Sequence, residues 1–78
     1  MKFKRSHTVD QMINSAMRES SGYFALYYPG SNEILAVQVQ MTRWGPKVVW
    51  LRKPELVGEF VTITRSAAIQ ILDVWRGR

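Results

Sequence analysis

The side chains here best equipped for chemistry are rings, amides and cations, and the chemistry they offer is non-covalent. Tyr23, Tyr27 and Trp50 supply flat aromatic surfaces, Gln38 and Gln40 supply amides, and Arg43, Lys47, Arg52 and Lys53 supply positive charge. Rings of this kind stack on unpaired nucleobases, each stack contributing about 1–3 kcal/mol. Cations follow the phosphates, and glutamines hydrogen-bond base edges without demanding one base. A single strand suits such a surface better than a duplex, whose bases are already stacked.

The groups that catalysis needs are scattered. His7 is the sole histidine and sits beside a basic cluster. Asp10, Glu19, Glu33, Glu55, Glu59 and Asp73 show no local pairing for acid–base work, and no serine has an evident base to activate it. There is no glycine-rich phosphate loop after a strand, no metal-ligand spacing and no cysteine. The sequence therefore predicts no enzyme, no cofactor and no metal.

Charge points the same way as the rings. Eleven Lys+Arg against six Asp+Glu give a formal net charge of +5 and a pI near 10.1, a surplus that steers polyanions inward. Net charges of about 2–8 also do no more than keep a small domain soluble, so both readings stand on charge alone. At 78 residues there is room for one core. A chain this short buries only about 60% of its unfolded surface, and self-association is the expected helper. No apolar run approaches the roughly 20 residues of a membrane span, and no apolar core follows the basic start as a secretion signal requires. The expectation is a soluble cytoplasmic homodimer with no membrane association.

The elements that must position these residues follow from periodicity. Residues 1–7 hold Lys2, Lys4 and Arg5 around Phe3 and read as a basic arm, either loose or a first extended segment. Residues 8–78 read as a single α+β domain. Thr8 is a helix N-cap with Gln11 three residues on, and Val9, Met12, Ile13, Ala16 and Met17 recur at helical spacing. Residues 23–28 alternate as a strand, with Phe24, Leu26 and Tyr28 opposite Tyr23, Ala25 and Tyr27. Residues 33–52 read as a hairpin, with Gly45-Pro46 reversing the chain within a turn over residues 43–47. Trp44 in that turn admits a place folded over the core. Residues 52–58 read as a loop and 60–64 as a fourth strand. Thr64 or Ser66 caps a last helix whose stripe is Ala68, Ile71, Leu72 and Trp75, with Gly77 as its stop.

The predicted fold is a four-stranded antiparallel meander with an N-terminal and a C-terminal helix packed on one face. Alternation predicts Phe24, Leu26, Val37, Val39, Val49, Leu51, Val61 and Ile63 beneath the helices. It leaves Tyr23, Tyr27, Gln38, Gln40, Thr42, Trp50, Arg52, Phe60 and Thr62 on the open face. Open apolar and aromatic side chains serve a second subunit as well as they serve bases.

Trp44-Gly45-Pro46-Lys47 before a strand ending in Arg52, then Gly58, then Val61-Thr62-Ile63-Thr64 running into a helix with Ile69 and Leu72, form a recognisable order. From Glu33 onward the chain resembles the positive cofactor four group of transcriptional coactivators and their bacterial and phage relatives. The resemblance implies a dimer that binds single-stranded DNA on curved sheet faces, with Lys47, Trp50 and Arg52 nearest the DNA. The helix over residues 8–20 has no counterpart in that pattern. The expected function is non-catalytic single-stranded DNA binding in transcription or replication, with a phage as one expected source. The alternative is a small phage-encoded protein–protein module that inhibits a host protein.

Overall fold

The computed structural model describes residues 1–55 and 58–78. Its elements are α1 (Val9–Arg18), β1 (Tyr23–Tyr27), β2 (Ile34–Thr42), β3 (Gly45–Lys53), β4 (Val61–Ile63) and α2 (Arg65–Arg76). The strands form one antiparallel sheet in chain order. The loop expected over residues 52–58 includes positions 56 and 57, which lie outside the described residues. Among the described residues, no helix is long and apolar enough to cross a membrane.

Both helices begin where side-chain oxygens take up the free amides of a first turn. The Thr8 hydroxyl accepts from the Gln11 N–H at 3.2 Å. Of the two candidate caps for α2 it is Thr64 that serves, accepting from the Ala67 N–H at 3.1 Å. Val9, Met12 and Ala16 of α1 and Ala68, Leu72 and Trp75 of α2 are buried in one cluster with Leu26, Leu35, Val37, Val39 and Trp50. Both apolar stripes thus cover the same sheet face. Met17, at the end of the α1 stripe, stays exposed.

Residues 1–3 form an extended segment that runs parallel to β1 rather than a loose arm. The Phe3 N–H donates to the Tyr27 carbonyl at 2.9 Å, and the Tyr27 N–H donates to the Met1 carbonyl at 3.0 Å. Phe3 is the reason: its ring is buried edge-on against Trp75, with centroids 5.3 Å apart and planes at 71°. Burying such a ring contributes about 1.5–3 kcal/mol, which adds to these hydrogen bonds against fraying. Arg76 adds hydrogen bonds to the carbonyls of Arg5 and His7.

The hairpin departs from the sequence reading in its turn, and the departure reverses one strand. Only Arg43 and Trp44 form the turn; Thr42 pairs with Gly45 and Met41 with Pro46. Among the described residues no non-glycine has positive φ, so the two-residue turn relies on Gly45 at φ +111° to bring the chain back into register. The Thr42 hydroxyl secures it, accepting from the Trp44 N–H at 3.2 Å and donating to the Gly45 carbonyl at 2.7 Å. A two-residue turn pairs odd positions of β2 with even positions of β3. Val37 therefore faces Trp50, and Gln38 faces Val49. A five-residue turn would pair odd with odd, and a one-residue slip exchanges the faces of a whole strand. Trp50 and Arg52 consequently lie on the helix side, and Val49 and Leu51 on the open side, the reverse of the prediction.

Candidate nucleic-acid interface

Rows of cross-strand partners build the uncovered face. One row runs Tyr27, Ile34, Lys53; the next Ala25, Ala36, Leu51, Thr62; the next Tyr23, Gln38, Val49; beyond it Gln40 stands beside Lys47. Lys2 bridges to Tyr27 and extends the first row by one position. Neighbours in such a row have Cβ atoms about 4.5–5.5 Å apart, so their side chains form one surface.

Seven of the nine predicted site residues belong to this face or its turn. Tyr27 is 44% exposed. Tyr23 is partly buried, and that burial pushes its phenol above the usual 10, so the hydroxyl stays neutral and can donate. Lys47 is exposed, and the Lys53 ammonium sits 5.8 Å from the centre of the Phe60 ring. Phe60, just ahead of β4, is itself partly open to solvent. Gln40 is exposed, and Arg43 is exposed in the turn at the end of the face. Gln38 also lies on this face, but its amide donates to the Ser21 carbonyl at 2.9 Å and ties the α1–β1 connection to β2.

The two remaining residues leave the interface. Trp50 is 3% exposed and belongs to the core beneath the helices, in the row Phe24, Val37, Trp50, Ile63. Arg52 is the one charged residue on the helix-covered side of the four strands. It opens into a groove of about 310 Å³ beside α2, with Ile63, Ile71 and Val74 among its walls. The expectation that Trp50 and Arg52 approach a ligand on the open face is corrected by the hairpin register.

Two contributors were missed. Trp44 is not folded over the core; at 89% it is far more exposed than Tyr27 or Phe60. Its signal lay in Thr42, a residue able to close a tight turn with its own hydroxyl. Lys2 was assigned to an arm, and it reaches the face only because Phe3 anchors the segment beside β1.

Charge is partitioned between the two sides of the molecule. None of the four strands contains an aspartate or glutamate. The ion pairs among the described residues join Arg65 to Asp10 at 3.2 Å, Arg76 to Asp73 at 3.2 Å and Arg78 to Glu33 at 2.6 Å. All three involve α2 or the residues just after it, and none uses Arg43, Lys47 or Lys53. The cations of the uncovered face thus have no counter-charge within the sheet. Compared with known proteins, this chain matches no family model, no curated protein and no solved structure.

Proposed function

We propose that this protein binds single-stranded DNA, without catalysis, on the uncovered face of its sheet, and that it acts in transcription or replication. The observation that carries the reading is the charge partition: a sheet with no acidic residue, bearing Lys47 and Lys53 on the same face as Tyr23 and Tyr27. Magnitudes decide what kind of binder it is. Two stacked bases supply about 2–6 kcal/mol, short of the roughly 8 kcal/mol of a micromolar complex. The cations must supply the rest, so affinity must fall steeply with salt. Four phosphate contacts, from Lys2, Arg43, Lys47 and Lys53, give a slope of log K against log salt near −3 for a single strand.

Titrating a labelled oligothymidine and the matching duplex at several salt concentrations tests this. The reading requires tighter binding to the single strand, with a slope of about −2 to −3. Duplex binding that is equal or tighter removes it. Lys53→Ala and Lys47→Ala should each flatten the slope by about 0.7.

A second reading is favoured by one feature. The register places the half-buried Val49, Leu51 and Ala25 at the centre of the open face, around a fully buried Ala36, which makes that centre apolar. An apolar centre with a polar rim is the anatomy of a protein interface, whether with a second copy or with a host protein that a phage product inhibits. Sedimentation with and without oligonucleotide separates the cases. A dimer that dissociates as DNA binds would show both ligands competing for one face. A stoichiometric partner from host lysate that survives nuclease treatment would favour the inhibitor.

A further inference from the structure

We propose that a bound single strand runs along the β-strands rather than across them, and that Trp44 stacks on the base at its far end. This rests on the reading above, and it follows from where the two kinds of side chain lie. The rings Tyr23 and Tyr27 are both on β1, whereas Lys47 and Lys53 are both on β3, with Arg43 in the turn that follows the same direction. Aromatics and cations therefore form two lines parallel to the strands, separated by β2. Bases lie over the tyrosine line and phosphates over the lysine line.

Only one path across the strands, the Tyr27 row with Lys2 and Lys53, meets both a ring and cations, and it is short. The row Ala25, Ala36, Leu51, Thr62 contains neither ring nor charge, and the row Tyr23, Gln38, Val49 contains no cation. Four strands about 4.8 Å apart are only about 15 Å wide. Along the strands, the nine residues of β2 reach about 26 Å from the Tyr27 row to the turn. Lys53 and Lys47 are about 20 Å apart on the same scale. At the roughly 3.4 Å per nucleotide of a stacked strand, the face holds about eight nucleotides.

Trp44 is built for the end of that path. It is 89% exposed, and its ring forms no aromatic pair among the described residues. The turn that carries it is fixed by the paired hydrogen bonds of Thr42 and the positive φ of Gly45. A backbone held by a closed turn loses little freedom when a base meets the ring it carries. Arg43 beside it and Lys47 three positions on supply charge for the last phosphates.

The test is an oligothymidine series of 4, 6, 8, 12 and 16 nucleotides, read by fluorescence anisotropy with wild type, Trp44→Ala, Trp44→Phe and Tyr27→Ala. Affinity should climb steeply to about eight nucleotides and rise only shallowly beyond. Trp44→Ala should lose about five- to 150-fold on the 12-mer, the range that one stacked base predicts, and less than about twofold on the 4-mer, which can seat at the Tyr27 end. Trp44→Phe should recover most of the loss, and unfolding curves should show both variants as stable as wild type. If Trp44→Ala binds the 12-mer like wild type while Tyr27→Ala weakens it, the path is wrong and the interface stands. A flat length dependence overturns the path as well. Wild type that binds no oligonucleotide overturns both the path and the interface.

Discussion

Trp75 and Trp44 lie near opposite ends of the β2–β3 hairpin, and the same kinds of residue are used there in opposite ways. Near the Ile34 end, Trp75 is 3% exposed, flanked by Phe3 at 5.3 Å and Tyr28 at 5.6 Å. Two arginines beside it are spent: Arg76 holds Asp73 and the carbonyls of the first segment, while Arg78 holds Glu33 and lies 5.0 Å over the Tyr28 ring. At the turn, Trp44 is 89% exposed with Arg43 and Lys47 alongside. Rings and guanidinium groups hold the fold together at one end and are left for a partner at the other. Residue type alone does not separate the two uses; register and burial do.

The sharpest way to break this contrast is to truncate the rings. Trp75→Ala and Trp50→Ala should each cost about 3–5 kcal/mol in denaturant unfolding, whereas Trp44→Ala should stay within about 0.5 kcal/mol of wild type. A Trp50→Ala variant of normal stability would return that ring to the list of available surfaces. Gly22→Ala is expected next in size. Gly22 has φ +69°, and a Cβ there would meet the Val39 carbonyl at 2.3 Å. It also accepts the Val39 N–H at 2.7 Å where the flanked part of the sheet gives way to the projecting hairpin. Strain and clash together should cost at least about 1–3 kcal/mol, read as a fall in Tm.

Smaller effects test how firmly the closed end is tied. Arg78→Ala removes a pair to Glu33 that is partly open to water, so its loss should cost only about 0.2–1 kcal/mol. His7 tests the same region through pH. Burial, reinforced by the nearby Lys4 ammonium, holds its imidazole below the ordinary 6.5, and the Lys4 backbone N–H donates to Nδ1 at 2.9 Å, a bond that only the neutral ring can accept. The unfolded chain therefore takes up this proton more readily than the folded one. The contribution of the neutral ring is complete above pH 6.5 and is lost as pH falls through the folded value. Tm should drop modestly between pH 7.5 and 5, and less in His7→Gln. A Tm that rises on acidification would mean that the folded state prefers the charged ring.

Much of this architecture was legible because helices and their caps announce themselves locally. Thr8 with Gln11, and Thr64 with Ala67, set the helix starts, and the stripes Val9-Met12-Ala16 and Ala68-Leu72-Trp75 set the buried side. β1 alternates without interruption, so Tyr23 and Tyr27 were assigned to the correct face. β3 was not legible, because both of its alternations are plausible: Val49 and Leu51 are apolar, and so are Val48 and Trp50. The choice fell to the turn, where Gly45-Pro46 looks like the reversal and is in fact the start of β3. Phe3 shows a similar limit, since one ring among cations gives no periodic signal and finds its place only once Trp75 and Tyr28 form a seat.

The short bridge that residues 1–3 make to β1 has a consequence for how molecules of this protein can join. Sheets grow into fibrils when both margins are free to recruit strands. Here the Tyr27 end of one margin is already occupied, and the other margin is the three residues of β4. An incoming strand therefore meets a shortened template on either side.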